Sequence, residues 1–271
     1  MPASRPRERL QPVVLALGVV GLALLVLPLL GLILRAPWGD LAGLFVRQEV
    51  LQALGLSLLT ATLSTGLSLV LGIPLAVLLS RSVRWRVLPR RLLRAAITVP
   101  LVLPPVVGGI ALLLLMGRRG LLGQWLTQVG VTIPFTTGAV VLAQTFVAMP
   151  FLVFAVEGAL RSADRRSETA AASLGASPWQ IFRLVTVPLT APGIAAGAVL
   201  CFARALGEFG ATITFAGSFP GVTRTLPIAS YLAMNSDPDT AIALALVLLA
   251  VVLLAFLTRR PVRPILEESR G

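Results

Sequence analysis

Residues 168–188 read ETAAASLGASPWQIFRLVTVP. This polar-to-amphipathic stretch lies between two long apolar segments. Glu168 precedes an alanine run, Gly175 follows seven residues later, and Pro188 closes the stretch thirteen residues after the glycine. Alanine is the best helix former, and Glu168 suits the positive N-terminal end of a helix that Ser167 would cap. Gly175 can adopt the left-handed conformation that ends a helix. Ser177 then caps a second helix with Pro178 at its first position, and Pro188 marks the turn into the next apolar segment. Trp179, Ile181, Phe182 and Val185 give that second helix apolar bulk. The stretch predicts two short helices joined by a sharp turn. The alanines leave a surface nearly free of side chains, shaped to enter a groove on another protein, although a helical hairpin lying on the membrane would show the same local pattern.

The surrounding chain is a membrane protein. Of 271 residues, 56% are hydrophobic and 13% charged, and the mean hydropathy is +0.92. Six apolar segments run over Val13–Leu34, Ala53–Leu79, Ala95–Met116, Gly138–Leu160, Ala191–Phe215 and Asp239–Thr258. Each meets the ~20 helical residues that a hydrocarbon core requires. Backbone groups in lipid must be satisfied internally, so each is expected to be helical. The first run is longer than the ~7–15 residues of a signal-peptide core, and no small-x-small site closes it, so it reads as a retained span. The expectation is an all-α polytopic protein with six transmembrane helices.

The net charge of +12 comes from arginine alone, because the chain has no lysine and no histidine. Without lysine there is no Walker A loop and no Ser-Lys dyad, so any ATP hydrolysis must come from a partner. Without histidine there is no Ser-His or Cys-His pair, which argues against an intramembrane protease. One cysteine, Cys201, is too few for a thiolate metal site and reads as a small core residue.

Arginine positions predict orientation. With a cytoplasmic N-terminus, one side receives Arg5, Arg7, Arg9, Arg81, Arg84, Arg86, Arg90, Arg91, Arg94, Arg161, Arg165, Arg166, Arg183, Arg259, Arg260, Arg263 and Arg270. The other receives Arg35, Arg47, Arg118, Arg119 and Arg224. Seventeen against five, with Arg204 inside a span, places both termini and the Glu168 loop in the cytoplasm. The basic stretch from Arg81 to Arg94 is interleaved with Trp85, Val87, Leu88, Leu92 and Leu93. It reads as a membrane-surface segment with snorkelling arginines that contact lipid, not as a nucleic-acid patch.

Two segments carry irregularities. The third opens with ITVPLVLPPVVGGI, in which Pro100, Pro104, Pro105, Gly108 and Gly109 disfavour a straight helix. A pore-lining or gate segment and a kink that only serves packing both fit. The fifth holds Arg204 and Glu208 four residues apart, hence on one helix face, with Gly207, Gly210, Thr212 and Thr214 beyond. Ionisable groups in a span face an interior or a pathway. A structural ion pair and a switch between two transport states both remain open for this pair.

Glu168-Thr-Ala170-Ala171, Gly175 and Val185-Thr-Val-Pro188 resemble the EAA loop of ABC importer permeases, in which two coupling helices dock into a cytoplasmic ATPase. The family's usual Ile-x-Leu-Pro ending is Val-x-Val-Pro here. VPLVLPPVVGG at Val99–Gly109, MGRRG at Met116–Gly120, LGEFGATITF at Leu206–Phe215 and PGVTRTLP at Pro220–Pro227 look like the molybdate branch, with sulfate and thiosulfate permeases as near relatives. The resemblance runs from about Val50 to the end of the sixth span. It implies type I ABC importer permease architecture in a bacterial cytoplasmic membrane.

What the resemblance implies is a homodimer with two cytoplasmic ABC ATPase subunits and an extracytoplasmic oxyanion-binding protein. ATP and Mg would be used only by the ATPase, this chain holding no cofactor, metal or catalytic residue of its own. Residues 1–49 would be a cytoplasmic stub, first span and outer loop; 50–260 the permease core with a coupling loop at 161–190; 261–271 a cytoplasmic tail. Glu168, Ala170, Ala171, Gly175 and Pro188 are the coupling candidates. Pro104, Pro105, Arg204, Glu208, Thr212 and Thr214 are the pathway or switch candidates, and Arg118, Arg119 and Arg224 would meet the binding protein. The expected cargo is molybdate, with tungstate alongside. Sulfate or thiosulfate is the alternative on the same architecture, and a self-contained secondary anion transporter is the alternative of a different class. Such a carrier has no need of the Glu168–Pro188 loop and commonly shows inverted repeats, of which none is evident.

Overall fold

A computed structural model describes residues 12–164 and 166–258, the side chain of Arg84 excepted. Arg5, Arg7, Arg9, Arg165, Arg259, Arg260, Arg263, Arg270 and the tail 261–271 lie outside the described residues. Those described are helical, with no strand among them. The elements are α1 (Pro12–Leu34), α2 (Leu41–Phe45), α3 (Gln48–Arg81), α4 (Val87–Val102), α5 (Pro105–Met116), α6 (Gly123–Gln128) and α7 (Thr137–Ser162). They continue with α8 (Arg166–Ser173), α9 (Pro178–Ile181), α10 (Val187–Leu206), α11 (Gly210–Ala216), α12 (Leu226–Ala233) and α13 (Pro238–Leu257). A π turn over Phe182–Thr186 joins α9 to α10. Among the described residues, five helical stretches are long and apolar enough to cross a membrane, six if α4 and α5 count as one broken span. The chain is a multi-pass membrane protein.

Small residues set the centre of the bundle. Ser57, Thr60, Ala61, Ser64, Ser68, Gly72 and Ala76 of α3 are buried, and α3 packs chiefly on α7. Such residues let helix backbones approach where lipid offers no hydrophobic drive. A Cβ at Gly72 would sit 3.2 Å from Leu152 Cδ2, and the hydroxyls of Thr145 and Ser64 lie 3.2 Å apart. Ser64 beside Thr145 and Gly72 beside Leu152 make α3 and α7 parallel. On α10, which packs on both α7 and α3, a Cβ at Gly197 would meet Leu152 Cδ1 at 2.9 Å, and one at Gly193 would strike Ala159. Those pairs make α10 antiparallel to α7. Cys201, fully buried, joins this core with Ala148, Leu152, Ala205 and Leu206. α1 touches α13 and is otherwise exposed along its length.

Three expectations need correction. The third segment is not one helix over Ala95–Met116. The chain turns by 115° between α4 and α5, with Leu103 extended and Pro105 opening the second helix. Neither half alone reaches ~20 residues, and α4 begins at Val87, inside the stretch expected to be a surface loop. The fifth segment does not continue to Phe215. It stops at Leu206, breaks over Gly207–Phe209, and resumes as α11. Nor does Pro188 mark a turn. The helix runs through it from Pro178 to Leu206. Proline lacks an N–H and crowds the carbonyl four residues back. The preceding turn widens to the π form, in which Val187 N–H reaches Phe182 O.

Candidate functional site: a two-helix arm and two broken spans

The arm is built from local signals. Asp164 Oδ1 accepts from Arg166 N–H at 2.9 Å, so Asp164 caps the start of α8. Ser167, expected in that role, lies within the helix because helix formation begins two residues after the acid. Gly175 has φ +85°, and Ala176 N–H reaches Ala171 O at 3.1 Å, closing α8 as a left-handed cap does. Ser177 and Gln180 then form a capping box: Ser177 Oγ accepts from Gln180 N–H and Gln180 Oε1 accepts from Ser177 N–H. The arm's apolar tip is open. Leu174 is 89% and Trp179 66% exposed, with the Trp179 ring stacked against Phe182 at 5.5 Å. Leu174 was not among the residues singled out from the sequence, though its place beside Gly175 puts it at the apex.

Glu168 faces inward. Its Oε1 accepts from Thr186 Oγ1 at 2.6 Å, tying α8 to the π turn. Behind the arm lies a cleft of about 560 Å³ bordered on one side by the ends of α3 and α7, with Ser80, Arg81 and Asp164, and on the other by Glu168 of α8 and Thr186 of the π turn. The arm thus stands away from the bundle, at the end that also gathers Arg81, Arg94 and Arg161.

The two broken spans meet in the interior. A Cβ on Gly210 would sit 2.9 Å from Pro105 Cβ, and one on Gly109 would sit 2.7 Å from Thr214 Cβ and 2.8 Å from Ala211 O. Pro105, Thr212 and Thr214 therefore belong to one region, while Pro104 caps α5 at its edge. Thr212 is fully buried, and its hydroxyl has no hydrogen-bond partner among the described residues. Thr214 Oγ1 donates to Gly210 O. The Arg204 guanidinium lies 2.7 Å from Glu208 Oε2. Glu208 is 1% exposed, and its Oε1 accepts from Ala211 N–H at 2.9 Å. The carboxylate thus spans the break, pairing with the last turn of α10 and holding the first turn of α11.

A second buried acid was missed. Glu157 of α7, 3% exposed, pairs with Arg94 of α4 at 2.9 Å and with Arg161 at 2.7 Å. Arg94 also lies over the Phe154 ring at 5.8 Å. An acid inside an apolar run with an arginine four residues on was the available signal. Arg118 and Arg119 are exposed in the α5–α6 turn. Arg224 is half-buried and donates through Nε to Ser218 Oγ at 3.0 Å. Because α5 and α11 run side by side, all three fall at one end of the bundle. No cluster of metal-ligating side chains occurs among the described residues.

Broken helices meeting inside a bundle, and a two-helix arm projecting from one end, define a membrane-embedded permease. The family described as binding-protein-dependent transport system inner membrane component matches residues 68–261, and the chain belongs to it. The "Molybdenum transport system permease protein ModB" of Mycobacterium tuberculosis is 49% identical over 253 residues, 93% of this chain and 95% of that protein. The protein of the same description from Escherichia coli K12 is 42% identical over 223 residues, 81% of this chain and 96% of that one. Among solved structures, a bacterial ABC transporter importing alginate aligns with TM-score 0.65 at 20% identity, covering 93% of this chain and 95% of that one. The inward-facing MetNI methionine ABC transporter aligns with TM-score 0.60 at 20% identity, covering 77% and 91%. At that identity the structures speak for fold alone, and the fold is that of ABC importer permeases.

Proposed function

We propose that the chain is the membrane-spanning permease subunit of an ATP-driven importer of molybdate, with tungstate as a second oxyanion of like charge and shape. The observation that carries this reading is the projecting arm, with its glycine turn and exposed Leu174 and Trp179, on a chain 49% identical to a molybdenum permease. Two copies form the pathway at their interface. A separate ATPase subunit grips each arm from the cytoplasm, where the arginine excess places it, and both termini share that side. An oxyanion-binding protein delivers cargo to the opposite end, where Arg118, Arg119 and Arg224 face its acidic surface. Closure of the ATPases on ATP and Mg drives the arms, and the arms drive the spans between outward-open and inward-open states. The chain itself performs no hydrolysis. Core residues 50–260 carry these functions, with 161–190 as the coupling loop.

The test is reconstitution. The permease, an ABC ATPase of a molybdate importer and a molybdate-binding protein are placed in proteoliposomes, and labelled molybdate uptake is followed. Uptake should require ATP and binding protein and resist a hundredfold excess of sulfate. Equal competition by sulfate would move the chain to the sulfate branch. Uptake without ATP would make it a self-contained carrier and defeat the reading.

A further inference from the structure

We propose that Thr186 is a positioning residue that clasps the coupling arm to the fifth span, and that Glu168 serves the arm by accepting this hydrogen bond. The inference rests on the reading of the arm as the ATPase-docking element. α8 packs on α9 and the π turn, and the cleft separates it from the ends of α3 and α7. A push on α9 passes straight into α10, with which it forms one continuous helix, but a push on α8 reaches the spans only if α8 moves as one body with that helix. The 2.6 Å bond from Thr186 Oγ1 to Glu168 Oε1 supplies a side-chain tie across the Gly175 turn, where φ is +85°.

The chemistry suits a clasp. Thr186 is 3% exposed, so water competes poorly for its hydroxyl. A hydroxyl has one proton, and the carboxylate at 2.6 Å takes it ahead of Ile181 O at 3.4 Å. The turn's geometry is held from the other side, where Thr190 Oγ1 donates to Thr186 O at 2.7 Å. The π turn sets the direction of Thr186. One residue of helical register is about 100° of rotation, so an ordinary α turn ahead of Pro188 would aim the hydroxyl away from α8. Proline, π turn, threonine and glutamate thus act as one device.

The experiment uses the full transporter in proteoliposomes and reads molybdate imported per ATP hydrolysed, with co-purification of the ATPase as a separate readout. Thr186→Val keeps the shape and removes the donor. A hydrogen bond to a charged group shifts an equilibrium by about tenfold or more, so the ratio should fall by about that factor while ATP hydrolysis continues. Thr186→Ser restores the donor and should recover at least about half of the lost ratio. Glu168→Ala should match Thr186→Val, and the double variant should be no worse than either. Glu168→Gln keeps an acceptor oxygen but makes a weaker, uncharged bond, and its ratio should fall between wild type and Glu168→Ala. A wild-type ratio in Thr186→Val, with the ATPase still bound, overturns the clasp alone. So does damage from Glu168→Gln equal to that from Glu168→Ala, because charge would then be the operative property. Failure of the wild-type chain to bind the ATPase would instead defeat the docking reading. If Thr186→Val does not fold, the Glu168 pair of variants decides the matter.

Discussion

Gly175 shows how little a residue needs to contact in order to matter. A Cβ there would find nothing within 4 Å, yet φ is +85°. Any cost of substitution is therefore backbone strain, ~1–2 kcal/mol for an L residue and more for a β-branched one. Gly175→Val should lower uptake severalfold while the spans insert normally, and Gly175→Asn should be milder because asparagine tolerates the left-handed region. Uptake by membranes of matched permease content checks both, and equal uptake in wild type and Gly175→Val would refute the role of the turn. At the opposite end, Asp237 accepts from the Thr240 hydroxyl and backbone N–H and from Arg47. Thr240 first, then Arg47, holds its carboxyl below the usual aspartate range. A lowered pKa contributes stability in full above the ordinary value of ~3.9 and loses it as pH falls through the native value. The melting difference between wild type and Asp237→Asn in detergent should therefore stay constant from about pH 5 to 8 and shrink below about pH 4. Gly175, Ser177 and Pro178 were legible in the sequence because each acts through its own backbone. Thr186 was not, since its meaning depends on a carboxylate eighteen residues away.

At the scale of elements, the apolar segments announced themselves more clearly than the extent of their breaks. Length and hydropathy register a span whether or not its backbone is continuous. The prolines of the third segment gave notice of a bend, and the structure makes it 115°. Gly207 in the fifth gave weaker notice, and the break there is secured by Glu208, whose carboxylate reaches both sides. Which face of each half is buried follows from the partner: Gly109 and Gly210 are small because α5 and α11 pass that close. Ala211 O, backbone and so unable to yield, would stand 2.8 Å from a Cβ on Gly109. Gly109→Ala should then cost ~1–3 kcal/mol as an overpacked interior site, visible as a lower melting temperature in detergent. Gly66, with nothing within 4 Å of its Cβ position, is the matched control, and a Gly109→Ala protein as stable as Gly66→Ala would show that the two broken spans are not tightly packed.

The whole molecule couples an interior made of small residues and broken helices to an arm at one end. Ends of helices, not contacts, decide which side is which: α3 and α7 run parallel, and both deliver their C-terminal ends to the cleft behind the arm. The charge count in the sequence leads to the expectation that this end is cytoplasmic, because arginines flanking the spans bias insertion, even though Arg94 and Arg161 also pair with Glu157. The chain offers a direct way to check the assignment. Its single cysteine, Cys201, is fully buried in a span, and Cys201→Ala removes it at the cost of a small cavity, leaving a background without thiols. Trp38 and Leu174 are 64% and 89% exposed and belong to opposite ends. On that background, Trp38→Cys should react with a membrane-impermeant maleimide in spheroplasts, whereas Leu174→Cys should react only after permeabilisation. Added ATPase should then shield Leu174→Cys and leave Trp38→Cys untouched if, as proposed, the arm is the part that docks. The reverse labelling pattern would invert the topology, and with it the side from which ATP can drive the transporter.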